Sequence, residues 1–316
     1  MPESGVRATA MQEFSVDTAF GRISGLRHHR HGGVPTNAPA PRVLALHGWL
    51  DNAASFVPLQ PYLPGLDLAA PDLPGNGASA HLPPAADYTV VGSARAAFAI
   101  ADALGWERFS LLGHSLGGAI ASVMAAAMPQ RIERLLVIEA LGALAEPEDH
   151  SAARLRDAFA ARSAERKPLR VFADVATAVR ARMQVNGLSE PVARLLVERG
   201  IAPVTSDEAD RAGGYVWRSD RRLTQPIAVR LSEGQVRDMV RAIECPTRVI
   251  YAEPAQPYFP EALRRERFEC LRNGQLVVMP GSHHLHMEDP AGVAAAIGDF
   301  FTAAEPARQS RSVEPA

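Results

Sequence analysis

Ser115 has a glycine two residues away on either side, in Gly113-His114-Ser115-Leu116-Gly117. An apolar run from Phe109 to Leu112 leads into this stretch, and helix-like spacing begins directly after it. A serine in a sharp turn between a strand and a helix stands at the carboxyl edge of a sheet, and glycines beside it let the backbone pack closely. The chemistry open to such a serine is nucleophilic attack on an acyl carbon, for which its hydroxyl needs a base within hydrogen-bond reach. Of the ten histidines, His283, His284 and His286 occupy the loop 281–289, between the last expected strand and the last expected helix. That loop belongs to the same sheet edge, and residue type alone leaves the three open. A competing chemistry would be a metal centre built from His283, His284, His286 and Glu288, although loop spacing lacks the i, i+4 helical geometry of zinc hydrolases.

These residues need a frame. Short apolar runs at Arg42–Leu46, Leu66–Ala70, Phe109–His114, Arg134–Ala140, Thr247–Ala252 and Gln275–Met279 read as strands, the first continuous enough to be buried on both faces. They alternate with helical patterns at Asn52–Leu63, Thr89–Leu104, Leu116–Met128, Glu261–Cys270 and Pro290–Phe301, the first capped by Asp51 or Asn52. Such alternation predicts an α/β fold, a mostly parallel sheet covered by helices on both faces. Gln12–Asp17 and Arg22–His28 add an antiparallel edge hairpin, followed by a solvated loop with His28, His29 and His31. Between residues 144 and 243 the alternation stops. Helical segments at Ala152–Ala164, Leu169–Asn186 and Glu190–Arg199 follow one another, which predicts a helical cap inserted over the sheet edge. Trp217, with Arg218, is its expected contact with a pocket. The expected division is a core over 1–143 and 244–301, a cap over 144–243 and a disordered tail from 302.

Composition narrows the partners. A formal net charge of −2 gives no case for nucleic acid. Two cysteines make no disulfide framework, and no apolar stretch reaches spanning length, so the expected setting is cytoplasmic, away from the membrane, with a small-molecule substrate. Oligomeric state is not legible.

Taken together, His47-Gly48-Trp49, Asp72-Leu-Pro-Gly-Asn-Gly-Ala-Ser79, Gly113-His-Ser-Leu-Gly-Gly118 and Gly281-Ser-His-His284 resemble the α/β-hydrolase superfamily. The resemblance covers roughly residues 12–142 and 244–301, and the His-Gly-Trp-Leu-Asp-Asn stretch is similar to its serine hydrolase-like branch. Asn76 departs from the histidine or aromatic residue usual there, with no effect expected on the chemistry. The resemblance implies an α/β-hydrolase fold and selects His283, the histidine of Gly-x-His before the closing helix, as the base. It also implies an acid three residues past a glycine after the strand Thr247–Ala252. Ala255 holds that position here. Glu253 is close by, but the preferred candidate is Glu139, 24 residues after Ser115, where one strand–helix–strand unit returns the chain to the same edge. Certain haloalkane dehalogenases place their acid there, whereas serine at 115 weighs against their alkyl-enzyme chemistry. Backbone N–H groups of Trp49 and Leu116 are the expected oxyanion donors. The expected enzyme is a serine hydrolase cleaving an ester-like bond, most simply a carboxylesterase, with no cofactor or metal. Thioesterase, lactonase or carbon–carbon hydrolase activity fits the same residues, and a non-catalytic ligand-binding protein is the alternative from another class.

Overall fold

The computed structural model describes residues 10–29, 39–163, 170–204 and 213–303. His31, the first nine residues and all but two residues of the expected tail lie outside them. An eight-stranded sheet organises the chain, built from β1 (Gln12–Thr18), β2 (Gly21–His28), β3 (Arg42–Leu46), β4 (Asp67–Pro71), β5 (Phe109–His114), β6 (Ile132–Ile138), β9 (Thr247–Glu253) and β10 (Gly274–Pro280). The strand order is β1-β2-β4-β3-β5-β6-β9-β10. The hairpin β1–β2 and the β2–β4 pair are antiparallel, and the other pairs are parallel. The central strand β5 is buried at every residue, which is why it reads as an unbroken apolar run rather than an alternation.

Two apolar layers sandwich the sheet. On one face, α1 (Val90–Ala103) and α2 (Leu116–Ala127) pack with Leu44, Leu111, Leu135 and Val249. On the other, Ala53, Phe56 and Leu59 join Val43, Leu112 and Ile250, together with Val293 and Ile297 of α9 (Pro290–Ile297). The expected helix over Asn52–Leu63 is instead two short 3₁₀ turns, Ala53–Phe56 and Gln60–Tyr62. Pro58 and Pro61 deny an α-helix the backbone donors it would need. Asn52 caps the first turn, its side chain accepting from Ala54 N–H, so of the two expected caps it is Asn52 that serves. His28 is the buried last residue of β2 rather than part of a solvated loop.

The segment 144–243 divides by what it packs on. Helices α3 (Ser151–Ser163), α4 (Val175–Asn186) and α5 (Glu190–Gly200) come first, then a small hairpin of β7 (Ile201–Pro203) and β8 (Tyr215–Trp217). Phe172, Val179, Leu196 and Val197 form an apolar cluster of this region, which Met287 of the helical turn α8 (Leu285–Glu288) also enters. By contrast α6 (Glu233–Arg241) buries Val236 and Val240 in the main core beside α2. The helix α4 starts at Val175, later than expected, because Asp174 caps it by accepting from Thr177 N–H. The helix α7 is Glu261–Phe268, between β9 and β10. Among the described residues no helix is long and apolar enough to cross a membrane.

Candidate active site

Ser115 sits between the end of β5 and the start of α2 with φ 50° and ψ −116°, a conformation that costs a non-glycine residue of order 1–3 kcal/mol. The turn persists because its neighbours are small. A Cβ on Gly117 would lie 1.9 Å from Leu46 O, and one on Gly113 would lie 2.5 Å from Gly117 O. No side chain fits at either place. Ser115 N–H donates to Ile138 O at 2.9 Å, which ties the turn to the tip of β6.

The next residue along β6 is Glu139. It too has a positive φ, 58°, and its carboxylate is buried. Burying that charge is costly unless it is paired and hydrogen-bonded, and it is both. Oε1 accepts from Ala252 N–H at 2.6 Å, while Oε2 accepts from Arg264 Nη2 at 3.1 Å. The Arg264 guanidinium is itself buried, donates to Ala252 O and Phe259 O, and lies over the Tyr251 ring at 4.5 Å. No local pattern in the sequence announces Arg264, which comes from α7, 125 residues after Glu139.

His283 completes the line. Its Nε2 is 2.9 Å from Ser115 Oγ and its Nδ1 is 3.2 Å from Glu139 Oε2. The structure therefore brings Ser115, His283 and Glu139 together in one hydrogen-bonded row. Glu253 is exposed and makes no hydrogen bond to His283. Near the empty acid position at Ala255, Tyr258 puts its hydroxyl 3.5 Å from His283 Nδ1. Burial and the nearby Glu139 carboxylate raise the Tyr258 pKa. The set His283, His284, His286 and Glu288 does not converge. His284 turns to Asp51, His286 to Ser55, and Glu288 accepts from Ser189 N–H.

The turn carrying Trp49 is fixed by His47. Leu73 N–H donates to His47 Nε2 at 3.0 Å, so Nδ1 carries the proton and donates to Gly48 O at 2.8 Å. Burial lowers the His47 pKa and keeps this tautomer neutral. Trp49 N–H donates to no carbonyl among the described residues, and Leu116 N–H, at the first position of α2, has no acceptor within its own helix. The Trp49 ring is exposed, its N–H donating to Leu223 O from the inserted segment. Trp217 packs within the insertion. It stacks edge-on against Phe172 at 5.2 Å, and Arg218 Nε donates to Ile201 O within the insertion.

Two arginines of the inserted helices grip the core motifs. Arg199 of α5 donates through Nε to both oxygens of the buried Asp72, at 2.9 and 3.0 Å, and through Nη1 to Glu13 on β1. Asp72 also accepts from Ala53 and Ala78 N–H. Arg182 of α4 pairs with Asp51 Oδ1. Burial pushes the Asp51 carboxyl up, but the facing His114 and His284 rings and the Arg182 charge outweigh it and hold its pKa well below the usual range. These two ion pairs were not legible from sequence because each joins segments more than a hundred residues apart.

Comparison with known proteins places the chain in a family. The family model described as the α/β hydrolase fold matches residues 41–290. A serine hydrolase-like protein of Dictyostelium discoideum is 31% identical over 275 residues, covering 82% of this chain and 74% of that protein. The crystal structure of a hypothetical protein from Pseudomonas aeruginosa PAO1 is 37% identical, with a TM-score of 0.81 over 92% of this chain and 99% of that one. The thioesterase domain from the curacin biosynthetic pathway superposes with a TM-score of 0.77 over 92% of this chain and 99% of that one, and at 24% identity this speaks for the fold. The chain belongs to the α/β hydrolase fold family, as a hydrolase of its serine hydrolase-like branch.

Proposed function

We propose that this chain hydrolyses an ester-like bond of a small molecule through an acyl-enzyme on Ser115. The observation that carries the reading is the row Ser115 Oγ, His283 Nε2, His283 Nδ1 and Glu139 Oε2, with gaps of 2.9 and 3.2 Å. In the first half-reaction His283 Nε2 takes the hydroxyl proton as Oγ attacks the carbonyl carbon. Glu139, an acceptor, holds Nδ1 in its protonated form and offsets the charge of the imidazolium. The carbonyl oxygen, now an anion, takes hydrogen bonds from Trp49 N–H and Leu116 N–H. His283 then gives its proton to the departing alkoxide, which leaves as an alcohol. A water molecule repeats the sequence on the acyl-enzyme and releases the acid, restoring Ser115.

Carboxylesters are the leading substrate class, because this machinery needs only an acyl carbon and a leaving group that one proton suffices to release. Nothing in the mechanism calls on a cofactor or metal. The test is a series of 4-nitrophenyl esters of increasing acyl length, assayed with the native chain and with Ser115→Ala. Saturable turnover that peaks at one chain length and vanishes in the variant is expected. Turnover equal in both proteins would overturn the reading.

A further inference from the structure

Behind Ser115 lies a group of buried polar side chains that the proposed chemistry does not use. Asp51, His114 and His284 come from three separate segments, and one ligand atom of each lies within 4.8 Å of the other two. Asp51 Oδ2 is 3.3 Å from His284 Nε2 and 3.7 Å from His114 Nδ1. The three side chains are at most 5% exposed.

The protons of His114 expose a mismatch. Its Nε2 is 2.8 Å from His283 O, a carbonyl that can only accept, so Nε2 carries a hydrogen. In a neutral ring whose hydrogen is on Nε2, Nδ1 is a bare lone pair. That nitrogen is buried, has no hydrogen-bond partner, and faces a carboxylate oxygen. Two electron-rich atoms pointed at one another inside a protein repel unless a cation lies between them.

We propose that Asp51 Oδ2, His114 Nδ1 and His284 Nε2 bind a divalent transition-metal ion, with Zn²⁺ the best match. Two imidazoles and one carboxylate suit zinc rather than calcium or magnesium, which prefer all-oxygen shells. Tetrahedral zinc with bonds of 2.0–2.1 Å separates its ligand atoms by about 3.3 Å. The Asp51–His284 pair already has that spacing, at 3.3 Å, and His114 Nδ1, 3.7 Å from Asp51 Oδ2 and within 4.8 Å of His284 Nε2, draws in to complete it. The donation of Nε2–H to a backbone carbonyl is the outer hydrogen bond that a metal-bound histidine characteristically makes. Arg182 occupies Oδ1 and leaves Oδ2 to the ion. His286, its ring tilted against His114 with centroids 4.1 Å apart and bonded to Ser55, walls the site without entering it. The ion staples the His47–Asn52 turn, the end of β5 and the loop 281–289, while Ser115 Oγ and the His283 ring stay outside its ligand set.

The test uses the full chain, stripped with a chelator under mild urea because the site is buried, then dialysed against Zn²⁺ alone. One zinc per chain is expected to survive desalting, with Tm raised by about 4 °C when zinc is a hundredfold above its Kd. Asp51→Asn and His284→Gln should each abolish retention, whereas His283→Gln should keep it. Should those variants fail to fold, Co²⁺ added to the stripped native chain decides, with intense visible absorption expected from a tetrahedral site. No retained zinc and no cobalt band would overturn the proposal. So would zinc that persists in Asp51→Asn and is lost in His283→Gln, which would put the ion on the serine–histidine pair instead.

Discussion

Replacing Glu139 by glutamine removes one charge and leaves the volume unchanged, so its cost follows from the contacts. Oε1 takes Ala252 N–H, and Oε2 takes both Arg264 and His283. An amide fits neither way round. With its oxygen toward His283, its NH₂ opposes the Ala252 N–H across what was a 2.6 Å bond. With its NH₂ toward His283, it opposes the Arg264 guanidinium and makes Nδ1 an acceptor, which moves the ring proton to Nε2. A ring protonated at Nε2 cannot accept the proton of Ser115. In serine proteases the equivalent Asp→Asn change costs roughly 10⁴ in kcat. We expect a loss of about 10³–10⁴ here, or about 4–5.5 kcal/mol of transition-state stabilisation. Separately, Arg264, only 5% exposed, loses its counter-ion. Removing one partner of a buried pair costs about 3–5 kcal/mol, which lowers Tm by about 5–8 °C in a chain of this length. The assay is 4-nitrophenyl ester hydrolysis well below the variant's Tm, with Tm measured alongside. A folded Glu139→Gln that keeps more than a tenth of native kcat would refute the reasoning, as would Glu253→Gln losing activity by orders of magnitude.

Gly117→Ala places its methyl carbon on Leu46 O, a backbone atom that cannot step aside, and should cost more than about 4 kcal/mol; a soluble variant melting within a few degrees of native would contradict this. Arg199→Gln leaves Asp72 with its backbone donors and no counter-ion, so we expect about 3–5 kcal/mol lost in urea unfolding and faster proteolysis within α4 and α5. Acid should destabilise the metal-stripped chain, because His114 has a lower pKa folded than unfolded. The unfolded chain binds its proton below pH 6.5, whereas the folded chain resists until about pH 4, so stability falls across that window by on the order of 3 kcal/mol. His47 and His286, shifted the same way by burial, add to the fall. A urea midpoint that stays flat between pH 7 and 4.5 would falsify it.

What the sequence made legible was whatever local spacing encodes. Ser115 announced itself because strand, glycine-flanked turn and helix are contiguous, and the position of Glu139 followed from counting one strand–helix–strand unit. The antiparallel edge hairpin and the buried parallel strands were readable from alternation and its absence. Arg264, Arg182 and Tyr258 were invisible for the opposite reason. Each reaches its partner across a fold boundary, and an arginine on a surface-like helix such as α7 carries no mark that it will be buried. The packing of Trp217 on Phe172 was equally hidden, because it depends on how the hairpin β7–β8 folds back on residues more than forty positions earlier. The helix expected after Asn52 failed on two prolines whose weight the apolar spacing concealed.

The account rests on Ser115 being a nucleophile activated by His283. A fluorophosphonate, which forms a stable phosphonyl ester with an activated serine, tests this most directly, read by intact mass and peptide mapping. The expected result is one adduct per chain on the peptide containing Ser115, absent in Ser115→Ala and slowed by orders of magnitude in His283→Asn. No adduct, or one that persists in Ser115→Ala, would contradict the account.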